Sequence, residues 1–148
     1  GTVSCKALLK STRLQWCIVG KSSKPSQHNG YVSMKRYTSG SADHTVRVWA
    51  AEDGWLVRTL TGHTSSVSSV AWSRPGRDGT QLASGSEDPT VRVWAAEDGR
   101  LMRTLIGHTD GVNSVAWSPS GCYLASGGDD GVIWLWGPAP WKLVIKDD

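Results

Sequence analysis

Histidine, serine and aspartate recur along this 148-residue chain: His63 with Ser84 and Asp88, then His108 with Ser126 and Asp130. A serine beside an imidazole that a carboxylate orients is a nucleophile with its base. That chemistry needs one pocket and one oxyanion hole, whereas this set returns once per repeat, the mark of a structural device. No nucleophile-elbow sequence G-x-S-x-G occurs. The acid-rich turns Glu97-Asp98-Gly99 and Asp129-Asp130-Gly131 lack the ligand spacing of a calcium loop and read as turn formers. No phosphate-cradling glycine loop is present. Cys5, Cys17 and Cys122 are scattered, odd in number and without a C-x-x-C pair. They argue against a zinc site and a disulfide framework, and fit a reducing compartment. The residues thus predict a non-enzyme with no metal and no cofactor.

The elements that carry these residues repeat. Ser39–Gly76 and Ser84–Gly121 overlay at an offset of 45, and 28 of their 38 aligned positions are identical. A third copy begins at Ser126 and fades. Such a period means stacked supersecondary units. Each unit reads as four short strands. Ser69–Ser73 and Ser114–Ser118 predict one, and Leu82–Ser86 and Tyr123–Gly128 a second. The alternating β-branched runs Thr45–Trp49 and Thr90–Trp94 predict a third, and Trp55–Leu60 and Arg100–Leu105 a fourth. Turn residues such as Asp88-Pro89 and Asp98-Gly99 punctuate them. No 3.6-period stripe supports a helical solenoid, and no apolar run reaches the roughly 20 residues of a membrane helix. The fold class is all-β, with blades of four antiparallel strands as in a β-propeller.

Gly62-His63 and Gly107-His108, the SVAWS and LASGS strands, the Asp turns and the VRVW strands together resemble the WD-repeat (WD40) family over residues 35–148. The Trp-Asp pair that names the family stands here as Trp49-Ala50, Trp94-Ala95 and Trp136-Gly137. The resemblance implies a propeller that acts as a binding platform without chemistry. It also implies a hydrogen-bonded network of His63, Ser84, Asp88 and Trp94, and a second of His108, Ser126, Asp130 and Trp136. Asp43 and Trp49 would belong to the first blade, where no matching Gly-His precedes them. Ligands would meet the loop face at Ser66, Ser68, Gly111 and Asn113, and at Ala42, Glu87 and Asp129 just before or within the acidic turns. With Asp110 nearby, that face favours basic peptides. Trp55 is a further candidate anchor, because its counterpart in the next repeat is Arg100. Trp134 replaces Arg47 and Arg92 and is expected to pack blade against blade.

Charge divides the chain. Residues 1–42 hold Lys6, Lys10, Arg13, Lys21, Lys24, Lys35 and Arg36 and no acid, whereas the rest carries an acidic excess. Residues 1–34 therefore read as a basic leader, degenerate or partly disordered, with organellar import and nucleic-acid contact as alternatives. About three blades cannot close a ring of the usual size. Either the chain belongs to a longer propeller or larger complex, or two copies close a six-bladed ring as a homodimer. The function expected is a protein-interaction scaffold, intracellular in the cytoplasm or nucleus. A nucleic-acid-associated subunit is the alternative.

Overall fold

A computed structural model describes residues 36–50, 53–73, 81–137 and 142–146. Eleven short strands fall in them: β1 (Arg36–Gly40), β2 (Val46–Ala50), β3 (Leu56–Leu60), β4 (Val67–Trp72), β5 (Gln81–Ser86), β6 (Thr90–Ala95), β7 (Leu101–Ile106), β8 (Val112–Trp117), β9 (Leu124–Gly128), β10 (Val132–Trp136) and β11 (Lys142–Lys146). They form antiparallel sheets in the orders β1-β2-β3, β4-β5-β6-β7 and β8-β9-β10-β11. Among the described residues, two blades thus have the four strands expected and the first shows three. The apolar run LQWCIVG at residues 14–20, which the sequence offers as the innermost strand of that blade, lies outside the described residues, as do residues 74–80.

Strand edges differ from the sequence reading in instructive ways. Thr45 does not enter β2, because pairing with β3 ends at Val46 opposite Leu60, whereas its counterpart Thr90 pairs with Ile106 of the longer β7. Trp55 and Arg100 precede β3 and β7, and their carbonyls close the preceding turns by accepting from Ala50 N and Ala95 N. The third repeat fades in sequence but not in pairing: β11 supplies a fourth strand, with Trp134 opposite Val144. Backbone pairing to β10 is enough to define it, so the strand survives without the repeat's residues.

Alternation builds the core. In β2 and β6 the valines Val46, Val48, Val91 and Val93 are buried and the arginines between them are only partly so. These valines do not face a second layer of their own blade. Val46, Val48 and Leu60 pack with Val67, Val70, Leu82 and Trp94 of the second blade. Val91 and Val93 pack with Val112, Val115, Leu124 and Trp136 of the third. The core therefore lies between blades. Polar links cross the same seams. Val115 N–H donates to Ser69 Oγ at 3.2 Å, Trp117 Nε1–H to the Ala71 carbonyl at 3.1 Å, and Val67 N–H to the Ser41 carbonyl at 3.0 Å. On the rim, Arg58 donates to the carbonyls of Glu97 and Asp98.

Candidate functional site

Four side chains, two from loops and two from strands, meet at each Gly-His. His63 precedes β4, Ser84 lies in β5, Asp88 in the β5–β6 turn and Trp94 in β6. His63 Nδ1 is 2.7 Å from Asp88 Oδ2, and its Nε2 is 2.7 Å from Ser84 Oγ. Trp94 Nε1–H donates to the same Ser84 oxygen at 2.9 Å. The donors fix the tautomer. An indole can only donate, so Ser84 accepts from it and passes its own proton toward Nε2, which leaves Nδ1–H to donate to the carboxylate. In the third blade, His108 Nδ1 lies 2.9 Å from Asp130 Oδ2, His108 Nε2 lies 2.9 Å from Ser126 Oγ, and Trp136 Nε1–H donates to Ser126 Oγ at 2.9 Å.

Residues outside the expected set also hold these carboxylates. Asp88 accepts from Thr64 N, Thr90 N and Thr90 Oγ1, and Asp130 from Thr109 N and Val132 N. The Asp-x-Thr spacing at 88–90 was the signal, since an aspartate commonly accepts from the amide two residues on. Burial alone would raise the Asp88 pKa, but the bonds from Thr90, Thr64 and His63 outweigh it and hold it at about 2. Burial likewise opposes ionisation of Asp130, and the bonds from Thr109, His108 and Val132 hold its pKa below the ordinary value. Burial pushes His63 below its usual value, although Asp88 pulls the other way. A neutral imidazole on an ionised carboxylate is consistent with the donor chain. The serine hydroxyl is buried and already engaged by both the imidazole and the indole.

The glycine before each histidine has a different reason in each blade: backbone conformation at Gly62 and space at Gly107. Gly62 has φ +151°, a conformation that side-chain-bearing residues rarely adopt, whereas a Cβ on Gly107 would stand 2.8 Å from Trp134 Cε2 and 3.0 Å from Trp136 Cη2. Trp134 stacks on Trp136 at 5.1 Å between ring centroids and meets His108 edge-on. It covers the network of its own blade as well as joining the interblade core.

The first blade is built differently. Trp49 Nε1–H donates to Ser39 Oγ at 3.0 Å, as in the other blades. Asp43 instead is exposed and pairs with Arg47. The hydroxyls of Thr45 and Ser41, together with Arg47, hold it well below the usual carboxylate range. Among the described residues, no histidine bonds to it.

The loop face carries most of the remaining candidates. Pairing skips one residue between Val67 and Ser69 and one between Val112 and Ser114. Ser68 and Asn113 are thus the extra residues of β-bulges, which re-aim a side chain out of the ladder. Both are exposed. Asn113 Nδ2–H donates to Asp129 Oδ1 at 2.6 Å, and Ser68 Oγ–H reaches the carbonyls of Gly85 and Val112. Gly111 lies between the two acidic turns: a Cβ there would be 3.3 Å from Glu87 Cα and 3.7 Å from Asp129 Oδ2. Ser66 engages by backbone alone, its carbonyl accepting from Glu87 N and Ser86 Oγ. Ala42 is exposed on the equivalent turn of the first blade. Trp55 is apart from this group, on the opposite side before β3, and is 72% exposed.

Antiparallel blades of three to four strands with their core between them, and a polar network that is repeated rather than unique, define a propeller-type repeat protein. The WD domain, G-beta repeat family matches residues 21–50, 54–95 and 99–137, well over half of the sequence, and the chain belongs to that family. Proteins of this family are typically non-catalytic scaffolds. Ribosome assembly protein 4 of Chaetomium thermophilum is 44% identical over 46 residues, covering 31% of this chain and 9% of that protein. A solved structure of U3-55K matches with a TM-score of 0.66 and 29% identity, covering 76% of this chain and 34% of that one. The crystal structure of RRP9 WD40 repeats matches with the same TM-score and identity over 76% of this chain and 33% of that one. The chain thus spans about a third of these solved propeller chains and under a tenth of the curated relative.

Proposed function

We propose that this chain is a non-catalytic scaffold that takes protein partners on its loop face, as part of a larger assembly. The observation that carries the reading is the pair of bulges. They turn Ser68 and Asn113 out beside Gly111, where Glu87 and Asp129 supply negative charge. The exposed carboxylates of Glu87 and Asp129 beside these bulges suit an extended basic segment, held by charge complementarity. The networks at His63 and His108 serve to hold the turns that bear those carboxylates. Assembly work is supported by the likeness to a ribosome assembly protein, and with it a place inside the cell, in the cytoplasm or nucleus. Nucleic-acid contact through the basic segment rests on residues outside the described ones and is the weaker reading.

Fluorescence anisotropy with a labelled lysine-rich peptide tests the proposal. Glu87→Lys with Asp129→Lys should weaken binding at least tenfold, about 1.4 kcal/mol, with the melting temperature unchanged because both side chains are exposed. Binding unaffected by the double substitution would overturn the acidic-face reading. Binding lost only on deleting residues 1–34, to nucleic acid rather than peptide, would favour the alternative.

A further inference from the structure

One repeat position meets a different fate in each blade. Arg47, Arg92 and Trp134 each stand two residues before a network tryptophan, on the same face of its strand. Arg47 pairs with Asp43 of its own turn. Trp134 stacks on Trp136 and meets His108 edge-on. In the second blade the corresponding aspartate, Asp88, is taken by His63. Among the described residues, no carboxylate pairs with Arg92. The side chain is half-buried, and its Nε is buried without a hydrogen-bond partner.

Arg92 faces the seam between the first and second blades, since Trp94 on the same face packs there with Val46, Val48 and Leu60. Toward the β6–β7 turn the seam is tied shut by Arg58, which donates to the Glu97 and Asp98 carbonyls. Nearer the β5–β6 turn, Arg92 Nη1 lies against Gly62, in the space that a Cβ would take. Thr104 stands opposite Arg92 in the β6–β7 register, and Ile106 opposite Thr90. A hydroxyl and an apolar side chain therefore share the guanidinium's side of the sheet. Thr104 is exposed, and Ile106 is 69% exposed. The uncompensated charge is felt nearby: after burial, the Arg92 cation also lowers the His63 pKa.

A guanidinium drawn partly out of water without a counter-ion is costly, and an anion relieves that cost. Its planar fork matches an oxyanion through two parallel bonds. We infer that this mouth between the first and second blades binds an acidic, apolar peptide segment of a partner protein, with a side-chain carboxylate on Arg92 and Thr104 and an adjacent apolar side chain on Ile106. One cation matches the single charge of a carboxylate better than the nearly double charge of a phosphate group. The apolar neighbour favours a peptide over a nucleic acid, whose backbone is charged at every unit. Trp134 fills the same position in the third blade, so the site belongs to the second blade's seam. The inference does not rest on the loop-face reading, which calls for a basic partner on other residues.

Fluorescence anisotropy with the full chain and a labelled peptide of alternating glutamate and leucine tests it. Arg92→Gln should weaken binding about tenfold. Arg92→Trp, which copies the third blade, should abolish it. Arg103→Gln removes the same charge from an exposed residue on the other side of β7, opposite Val93, and should bind as the parent does. A second readout needs no variant: saturating peptide should raise the His63 pKa, followed by proton NMR, because a carboxylate on Arg92 cancels a cation that lowers it. Undiminished binding in Arg92→Gln, an equal loss in Arg103→Gln, or a His63 pKa unmoved by the peptide would each overturn the site. Tighter binding of a phosphoserine–leucine peptide through Arg92 would overturn the carboxylate. An oligouridylate that binds through Arg92 where the acidic peptide does not would overturn the peptide.

Discussion

Replacing His63 with alanine separates a structural network from a catalytic one. The substitution removes the 2.7 Å bond to Asp88 and the 2.7 Å bond to Ser84. A charge-assisted bond contributes about 1.5–3 kcal/mol and a neutral one about 0.5–1.5 kcal/mol. Asp88 keeps three donors, from Thr64 and Thr90, so it does not become an isolated buried charge. The loss therefore stays below the extreme cost of breaking a buried ion pair. A void where the imidazole stood beside Trp94 adds to it. The expected loss is about 3 kcal/mol, or a fall in Tm of about 6–12 °C for a chain of this length. Thermal unfolding followed by circular dichroism reads it directly. A cycle with Ser84→Ala should show that the two losses do not add, because both act on one chain of bonds. A His63→Ala protein that melts within about 2 °C of the parent would refute the structural account.

Acidification should destabilise the fold in two stages. Burial holds the folded His63 below its ordinary value of 6.5, so its contribution is complete above that pH and declines as pH falls below it. Asp88, at about 2 folded against 3.8, contributes fully above 3.8 and loses that contribution as pH falls toward 2. Urea midpoints should therefore drop between pH 7.5 and 5.5, and a midpoint that rose over that range would contradict the neutral imidazole. Gly107→Ala places a Cβ 2.8 Å from the Trp134 ring and should cost about 1–3 kcal/mol. Equal stability of that variant in urea would show that the tryptophan stack yields freely.

The repeats, the strand types and the all-β class were legible in the sequence because each depends on near neighbours. Alternation in Val46–Ala50 or Thr90–Ala95 is a local property, and so is an aspartate that starts a turn. The recurrence of histidine, serine, aspartate and tryptophan was equally plain, and the likeness to a family said which of them to group. Which atoms meet was not plain. The part of Thr90 in holding Asp88, the stacking of Trp134 on Trp136, and the arginine of β3 on the rim carbonyls all join residues through packing. The bulges at Ser68 and Asn113 depend on register with β5 and β9, which no single strand encodes. The sharpest contrast is between Val91 and Ile133: two apolar residues at one repeat position, one buried and one bare. Hydrophobicity is written in the residue, but burial is decided by whether another blade lies across it. A core built between blades leaves that decision to tertiary structure.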